Sequence, residues 1–107
     1  MKRGDLVVAA APGAYGKARP HLVVQSDVFR DHPSVTLLLI TSDLKAAPIF
    51  RITVDPSEAN GLRAISQIAI DKVVTLPAEK IQAVIGHLDP ETMVKVTRGL
   101  AVWLGIA

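Results

Sequence analysis

The sequence predicts a mainly β (α+β) fold, in which a small antiparallel barrel is followed by a C-terminal helix. Five apolar segments of strand length follow one another at the spacing of hairpins rather than of strands linked by helices. Turn-forming residues separate these segments, and the last third of the chain has helical periodicity instead. The 107 residues can form one domain with a buried core, so a single domain is expected over residues 1–107.

The predicted strands are rich in aliphatic and β-branched residues. The third is almost wholly apolar and is therefore expected at the centre of the sheet, buried on both faces. The fourth alternates apolar and polar residues, which indicates that only one of its faces is buried. In order, the strands are expected at residues 5–11, 21–26, 35–41, 47–54 and 64–74.

Two helices are predicted after the strands. The first is short and runs from about Ala78 to Gly86. The second has Asp89 as its N-cap and Pro90 as its first residue, and it ends at Gly105. Apolar side chains recur along the second helix at helical spacing, so this helix is expected to pack on the core.

Composition excludes several classes of protein. The absence of cysteine excludes disulfides, thiolate catalysis and Cys-ligated zinc, and it fits a cytoplasmic protein. The three histidines show no metal-ligand spacing, so no cofactor or metal is predicted. No apolar run is long enough to span a membrane. The net charge of +2 permits an anionic partner, although the charges are scattered along the chain.

The stretches GKARPHLVVQSD and LLLITSD contain the polar residues that are most suggestive of a site. Arg19 begins the second strand and Thr41 ends the third, and antiparallel neighbours place such ends together. A guanidinium and a hydroxyl that converge there would bind a phosphate, because together they supply several hydrogen-bond donors. The alternative is a surface arginine paired with Asp5 or Asp27, and a threonine that caps a turn.

Five stretches, in this order along the chain, carry a resemblance to a known family. They are KRGDLVVAA, GKARPHLVVQSD, LLLITSD, NGLRAISQIAIDKVVTLP and IGHLDPETMVKVTRGLAVWLGI. Together they resemble the MazF/PemK toxins, the growth-inhibiting endoribonucleases of type II toxin–antitoxin systems. The resemblance implies an SH3-like barrel, a homodimer and a cognate acidic antitoxin. It also implies metal-independent, sequence-specific cleavage of single-stranded RNA through 2′-OH attack, which leaves 2′,3′-cyclic phosphate and 5′-OH ends.

The resemblance also assigns roles to individual residues. Arg19 matches the catalytic arginine that precedes proline in the family, and Thr41 matches the catalytic threonine. Asp71 corresponds to an aspartate near the RNA in PemK-like members, but their arginine two residues earlier is Ala69 here. Because arginine stays protonated at neutral pH and is a poor base, His21 is a further candidate for moving the proton.

Four further residues are predicted to contact RNA: Tyr15, Lys17, Ser42 and Arg51. Tyr15 and Lys17 stand in the loop GAYGKA, which is short and lacks the Glu-Gln common in the family. The sequence preference of the family is therefore not carried over to this chain.

Two other functions remain open at the level of sequence. CcdB, a DNA gyrase poison, has a related fold and a Trp-Gly-Ile tail. Near the end of this chain stand Trp103, Gly105 and Ile106. Leu104 separates the tryptophan from the glycine, however, which would rotate a helical tail by roughly 100°. The other alternative is a noncatalytic barrel that binds an antitoxin.

Overall fold

The structure is a computed structural model that describes residues 1–13 and 16–106, which form a curled antiparallel sheet and a C-terminal α-helix. The strands lie in the order β4-β5-β3-β2-β1-β6, and every neighbouring pair is antiparallel. The predicted β fold with a C-terminal helix is therefore confirmed. The elements are β1 (Asp5–Ala9), β2 (Arg19–Val23), β3 (Ser34–Thr41), β4 (Arg51–Val54), β5 (Ser66–Pro77), β6 (Ala83–His87) and α1 (Pro90–Trp103).

The predicted short helix from Ala78 to Gly86 is wrong. Residues Ala78–Lys80 form only one 3-10 turn, and β6 follows it and pairs with β1. Two physical reasons favour the strand. The β-branched residues Val84 and Ile85 suit a pleated sheet. Pairing with β6 also satisfies backbone N–H and C=O groups of β1 that a helix would leave without partners. The sheet consequently has one strand more than the sequence indicated.

The central strands are buried on both faces, as the apolar composition of β3 predicts. Side chains on one face pack beneath α1, whose Val96 is fully buried. Side chains on the other face form a second cluster. The first cluster includes Leu6, Leu22, Leu38, Ile40, Ile68 and Ile70, and the second includes Val7, Ala9, Val23, Val35, Leu37 and Leu76.

Helix α1 begins where the sequence predicts. The Asp89 carboxylate accepts a hydrogen bond from the backbone N–H of Thr92, at 3.0 Å, and Pro90 is the first helical residue. The hydrogen bond from the Thr92 hydroxyl, together with this capping bond from its backbone N–H, holds the pKa of Asp89 below its usual value. Gly105 follows the end of the helix with a positive φ of 74°. Within residues 1–13 and 16–106, no helix is both long and apolar enough to cross a membrane.

Candidate active site

Arg19 and Thr41 meet at one end of the sheet. Strand β2 pairs with β3 from Val23 to His21, where His21 faces Leu39. If this register is continued for two residues beyond its last pair, Arg19 lies opposite Thr41. Both residues line the same cleft of about 520 Å³, which we call the outer cleft. The antiparallel arrangement inferred from the sequence is therefore the one observed.

The outer cleft is cationic. Its lining includes three basic residues, Lys17, Arg19 and Arg63, whereas no Asp or Glu is among the described residues that line it. Hydroxyl groups of Thr41 and Ser42 add hydrogen-bond donors. Such a lining favours an anion with several oxygen acceptors.

Arg63 was missed by the sequence analysis. It stands between the Asn60–Gly61 turn and β5, where no pattern in the sequence marks it as a site residue. The pairing of Thr41 with Gln67 brings the start of β5 beside the end of β3, and Arg63 lies just before that start. Arg63 could have been found from the sequence only by predicting that β5 pairs with β3 in this register.

The hydroxyl of Thr41 is held by the turn that follows β3. Its Oγ1 accepts a hydrogen bond from the backbone N–H of Asp43, at 3.1 Å. A hydroxyl that accepts one hydrogen bond keeps its own proton free to donate. Thr41 thus caps a turn, as the alternative interpretation held, and still offers a donor to the cleft.

The guanidinium of Arg19 is not paired with either aspartate proposed for it. Asp5 accepts from the backbone N–H of Lys2 at 2.9 Å, and Asp27 accepts from the backbone N–H of Arg3 at 2.8 Å. Asp27 also lies 3.6 Å from Arg30, and these bonds lower its pKa. Within the described part of the chain, the Arg19 guanidinium makes no hydrogen bond or salt bridge.

Arg19 also lines a second cleft, of about 370 Å³. We call it the inner cleft; it shares Lys17 and Arg19 with the outer cleft and adds His21, Asp71 and Lys72. Asp71 reaches it through a bulge in β5, where the pairing with β3 jumps from Leu38–Val73 to Ile40–Ile68. Extra residues in a bulge change the direction of the side chains that they carry.

His21 is 1% exposed and has a defined tautomer. Its Nδ1 lies 2.9 Å from the backbone oxygen of Arg19, and because a carbonyl only accepts, Nδ1 carries the hydrogen. Burial lowers the pKa of His21, so the ring is neutral at pH 7. Its Nε2 and the Oδ1 of Asp71 are both buried without a hydrogen-bond partner among the described residues. The other Asp71 oxygen lies 4.0 Å from Nζ of Lys72.

The residues predicted to contact RNA are only partly brought together. Lys17 lines both clefts and Ser42 lines the outer one. Arg51 lies outside both clefts, and its Nη1 donates to the backbone oxygen of Asp43 at 3.4 Å. Tyr15 lies outside the described residues. Over residues 1–13 and 16–106, no three His, Asp or Glu side chains form a group that could hold a metal ion.

Comparison with known proteins establishes the family. A family model described as "PemK-like, MazF-like toxin of type II toxin-antitoxin system" matches residues 2–104. The chain belongs to this PemK/MazF toxin family. It is 44% identical to the "Probable endoribonuclease MazF" of Mycolicibacterium smegmatis over 108 residues, covering 100% of this chain and 99% of that protein. It is 28% identical to the "Endoribonuclease EndoA" of Bacillus subtilis over 111 residues, covering 99% and 96% of the two chains.

The fold of the PemK/MazF family is confirmed by a solved structure. A mycobacterial endoribonuclease in complex with its cognate antitoxin superimposes with a TM-score of 0.84, at 22% sequence identity. The match covers 100% of this chain and 97% of that one. The curled sheet and the helix are thus those of the toxins in this family.

Proposed function

We infer that the protein is an endoribonuclease, the growth-inhibiting toxin of a type II toxin–antitoxin system, and that it cleaves single-stranded RNA in the cytoplasm. One observation carries this inference: Arg19, whose guanidinium has no acidic partner in the described part of the chain, shares a cleft with Thr41. The 44% identity to a probable endoribonuclease supports it independently. No observation favours the gyrase poison or a noncatalytic barrel.

The proposed reaction uses a nucleophile that RNA itself supplies. The 2′-OH attacks the adjacent phosphorus, the O2′–P bond forms and the P–O5′ bond breaks. The 2′-OH loses its proton and the departing 5′ oxygen gains one, so the ends are a 2′,3′-cyclic phosphate and a 5′-OH. Negative charge builds on the non-bridging oxygens, where Arg19 donates in a fork and Thr41 adds one hydrogen bond. Because these side chains stabilise the charge, the proposed step needs no metal ion.

Two residues of the inner cleft are the candidates for accepting the proton of the 2′-OH. His21 is neutral with an acceptor at Nε2, and Asp71 has an acceptor at Oδ1; neither atom has a partner among the described residues. Both line the cleft that Arg19 also lines, which is why we select them as candidates for a ribose whose phosphate is bound by Arg19. Since both atoms are enclosed in the protein, the wall of the inner cleft has to open slightly when RNA binds.

Cleavage of a long single-stranded RNA in EDTA tests this function. The wild-type protein is expected to give fragments with 5′-OH ends, whereas Arg19→Ala is expected to cut at least about 100-fold more slowly. Arg98→Ala is the matched control, because it removes the same charge from an exposed site on α1 that lines neither cleft. Equal cutting by the Arg19 variant would reject the assignment, and dependence on added metal would reject the proposed chemistry.

The proposed assembly is a homodimer that also binds a cognate acidic antitoxin. Apolar side chains are exposed around the end of α1, where Phe50 and Trp103 meet edge to face with ring centroids 5.3 Å apart. A partly exposed aromatic pair of this kind is typical of surfaces that are covered in an oligomer. Val102, Leu104 and Ile106 extend the exposed surface. Sedimentation velocity measures the dimer directly.

A further inference from the structure

Among the described residues that line the outer cleft, three are basic, and Arg63 is the one that has neither a catalytic nor an RNA-contacting role in the proposed function. It is exposed, and within the described part of the chain its side chain makes no salt bridge or hydrogen bond. Arg19 and Thr41 already supply the donors that one phosphate requires. A single phosphodiester carries one negative charge, so Lys17, Arg19 and Arg63 together exceed what the scissile phosphate alone would neutralise.

The backbone that carries Arg63 is fixed in place by a buried asparagine. The side-chain oxygen of Asn60 accepts from the backbone N–H of Ser57 at 3.0 Å and of Leu62 at 2.9 Å. Its amide nitrogen donates to the backbone oxygen of Asp55 at 2.9 Å. The backbone N–H of Asn60 completes the turn by donating to the hydroxyl of Ser57, at 3.1 Å. All of these bonds restrain the segment that ends just before Arg63.

Two glycines allow the backbone of this turn to pack closely against the backbone of β6. A Cβ at Gly61 would lie 2.2 Å from the backbone oxygen of Ile85, and a Cβ at Gly86 would lie 2.3 Å from that of Ala59. Gly61 also has a positive φ of 70°, which residues with a side chain rarely adopt. The next residue, Leu62, is buried in the core, so the chain is anchored on the N-terminal side of Arg63.

Strand β5 anchors the chain on the C-terminal side of Arg63. Ser66 is buried at its start and pairs with Val54, and its hydroxyl donates to the backbone oxygen of Ala64 at 2.9 Å. The backbone of Arg63 is thus held at both ends, and the exposed residue lines the outer cleft. A fixed backbone with an unpaired cationic side chain is suited to binding a ligand rather than to stabilising the fold.

We propose that Arg63 binds the RNA phosphate adjacent to the scissile one, and that this contact sets the register of the strand on Arg19 and Thr41. The proposal rests on the function inferred above. An RNA strand has one phosphate per nucleotide, and Arg63 lines the same cleft as Arg19. The phosphate next to the one held by Arg19 is therefore the ligand that we assign to Arg63. The preferred substrate is therefore an oligonucleotide with at least two consecutive charged phosphates.

Binding of an uncleavable RNA tests the proposal without depending on the rate of cutting. The RNA carries a 2′-O-methyl group at a cleavage site mapped with the wild-type protein, and its affinity is measured over a range of salt concentrations. Arg63→Ala is expected to reduce the slope of log K against log salt by about 0.7, the value for one phosphate on a single strand. Arg98→Ala, again the matched control, is expected to leave the slope unchanged.

Replacement of single phosphates by neutral methylphosphonates locates the contact. At the phosphate adjacent to the scissile one, this replacement is expected to weaken binding to the wild-type protein but not to Arg63→Ala. Arg63→Lys is expected to keep the salt slope and to lose part of the affinity, because lysine keeps the charge without the fork. Thermal unfolding of each variant verifies the fold, which is expected to be unaffected since Arg63 is exposed.

The outcomes separate this proposal from the proposed function. If the wild-type protein cuts RNA but Arg63→Ala and Arg98→Ala give the same slope, the role of Arg63 is overturned and the ribonuclease assignment stands. The same holds if no single methylphosphonate distinguishes the wild-type protein from Arg63→Ala. If the wild-type protein neither cuts nor binds RNA, both proposals are overturned.

Discussion

At the scale of single residues, proline explains why Arg19 is rigid. The pairing of β2 with β3 begins at His21, so Pro20, which lacks an N–H donor, lies outside that ladder. A residue that precedes proline is restricted to extended conformations, and Arg19 therefore continues the line of the strand into the cleft. The sequence places a permanent charge on a stiff backbone, which lowers the entropy lost when a phosphate binds.

The buried His21 predicts a pH dependence of stability. Its pKa is lowered mainly by burial, so protonation favours the unfolded chain, in which the ring titrates near pH 6.5. The contribution of neutral His21 to the free energy of unfolding is complete above about pH 6.5, and it is lost as the pH falls toward the lower pKa that His21 has in the folded protein. Urea unfolding between pH 8 and 5 is expected to show a steeper loss for the wild-type protein than for His21→Gln.

Other charged groups do not account for the expected difference between the wild-type protein and His21→Gln in urea unfolding. Lys17, Arg19, Asp71 and Lys72 line the cleft that His21 lines, and all four are present in both the wild-type protein and His21→Gln, so the difference between the two curves isolates His21. The residues opposite His21 on β1 and β3 are apolar. The lowered pKa values of Asp27 and Asp89 act below about pH 4. Parallel curves for the wild-type protein and the variant would contradict the prediction.

At the scale of elements, strand β6 shows how tertiary contacts override local sequence. Residues 78–86 satisfy the usual signs of a short helix, with proline before them and glycine at their end. The chain instead pairs with β1, and Gly86 is needed there because the backbone of Ala59 approaches it closely. A glycine that seemed to stop a helix is in fact a point of contact between two backbones.

This contact predicts the effect of Gly86→Ala. A methyl group at this position would overlap the backbone of Ala59 and Asn60, so the turn and β6 would have to separate. The expected loss in the free energy of unfolding is on the order of 3 kcal/mol, measured by urea denaturation. Gly99→Ala is the control: its Cβ would lie 3.4 Å from Ile70, and alanine favours a helix, so little or no loss is expected.

Gly86→Ala is also expected to weaken RNA binding, because the turn that it displaces carries Arg63. Unchanged stability of this variant would show that the turn and β6 are not packed as described.

At the scale of the whole molecule, the fold concentrates a modest charge. The net charge is only +2 and the basic residues are scattered along the sequence, yet Lys17, Arg19 and Arg63 converge in one cleft without a carboxylate among its described residues. A cleft lined by one sign of charge attracts an oppositely charged ligand more strongly than net charge suggests. We therefore expect both an RNA strand and an acidic antitoxin segment to be attracted to it.

We therefore predict that the cognate antitoxin and RNA compete for the outer cleft. With a fluorescent uncleavable RNA as probe, free antitoxin at ten times its own Kd is expected to raise the apparent Kd of the RNA about tenfold. An unrelated acidic protein of similar charge serves as the control for nonspecific screening. Tight simultaneous binding of RNA and antitoxin would contradict the prediction.

The sequence by itself determined the composition of the core, the C-terminal helix and the pair formed by Arg19 and Thr41. These features depend on local signals: an apolar run, a capped helix start, and the ends of two consecutive strands that pair as neighbours. Such signals are contained in short segments, and for that reason they can be interpreted without the fold.

Only the tertiary structure decided the identity of β6, the position of Arg63 and the surroundings of His21 and Asp71. Each depends on residues that are distant in sequence: β1 pairs with β6, the start of β5 lies beside the end of β3, and a bulge in β5 brings Asp71 to the cleft of His21. Long-range pairing and close backbone contacts are determined by the packing of the whole chain, so no local pattern encodes them.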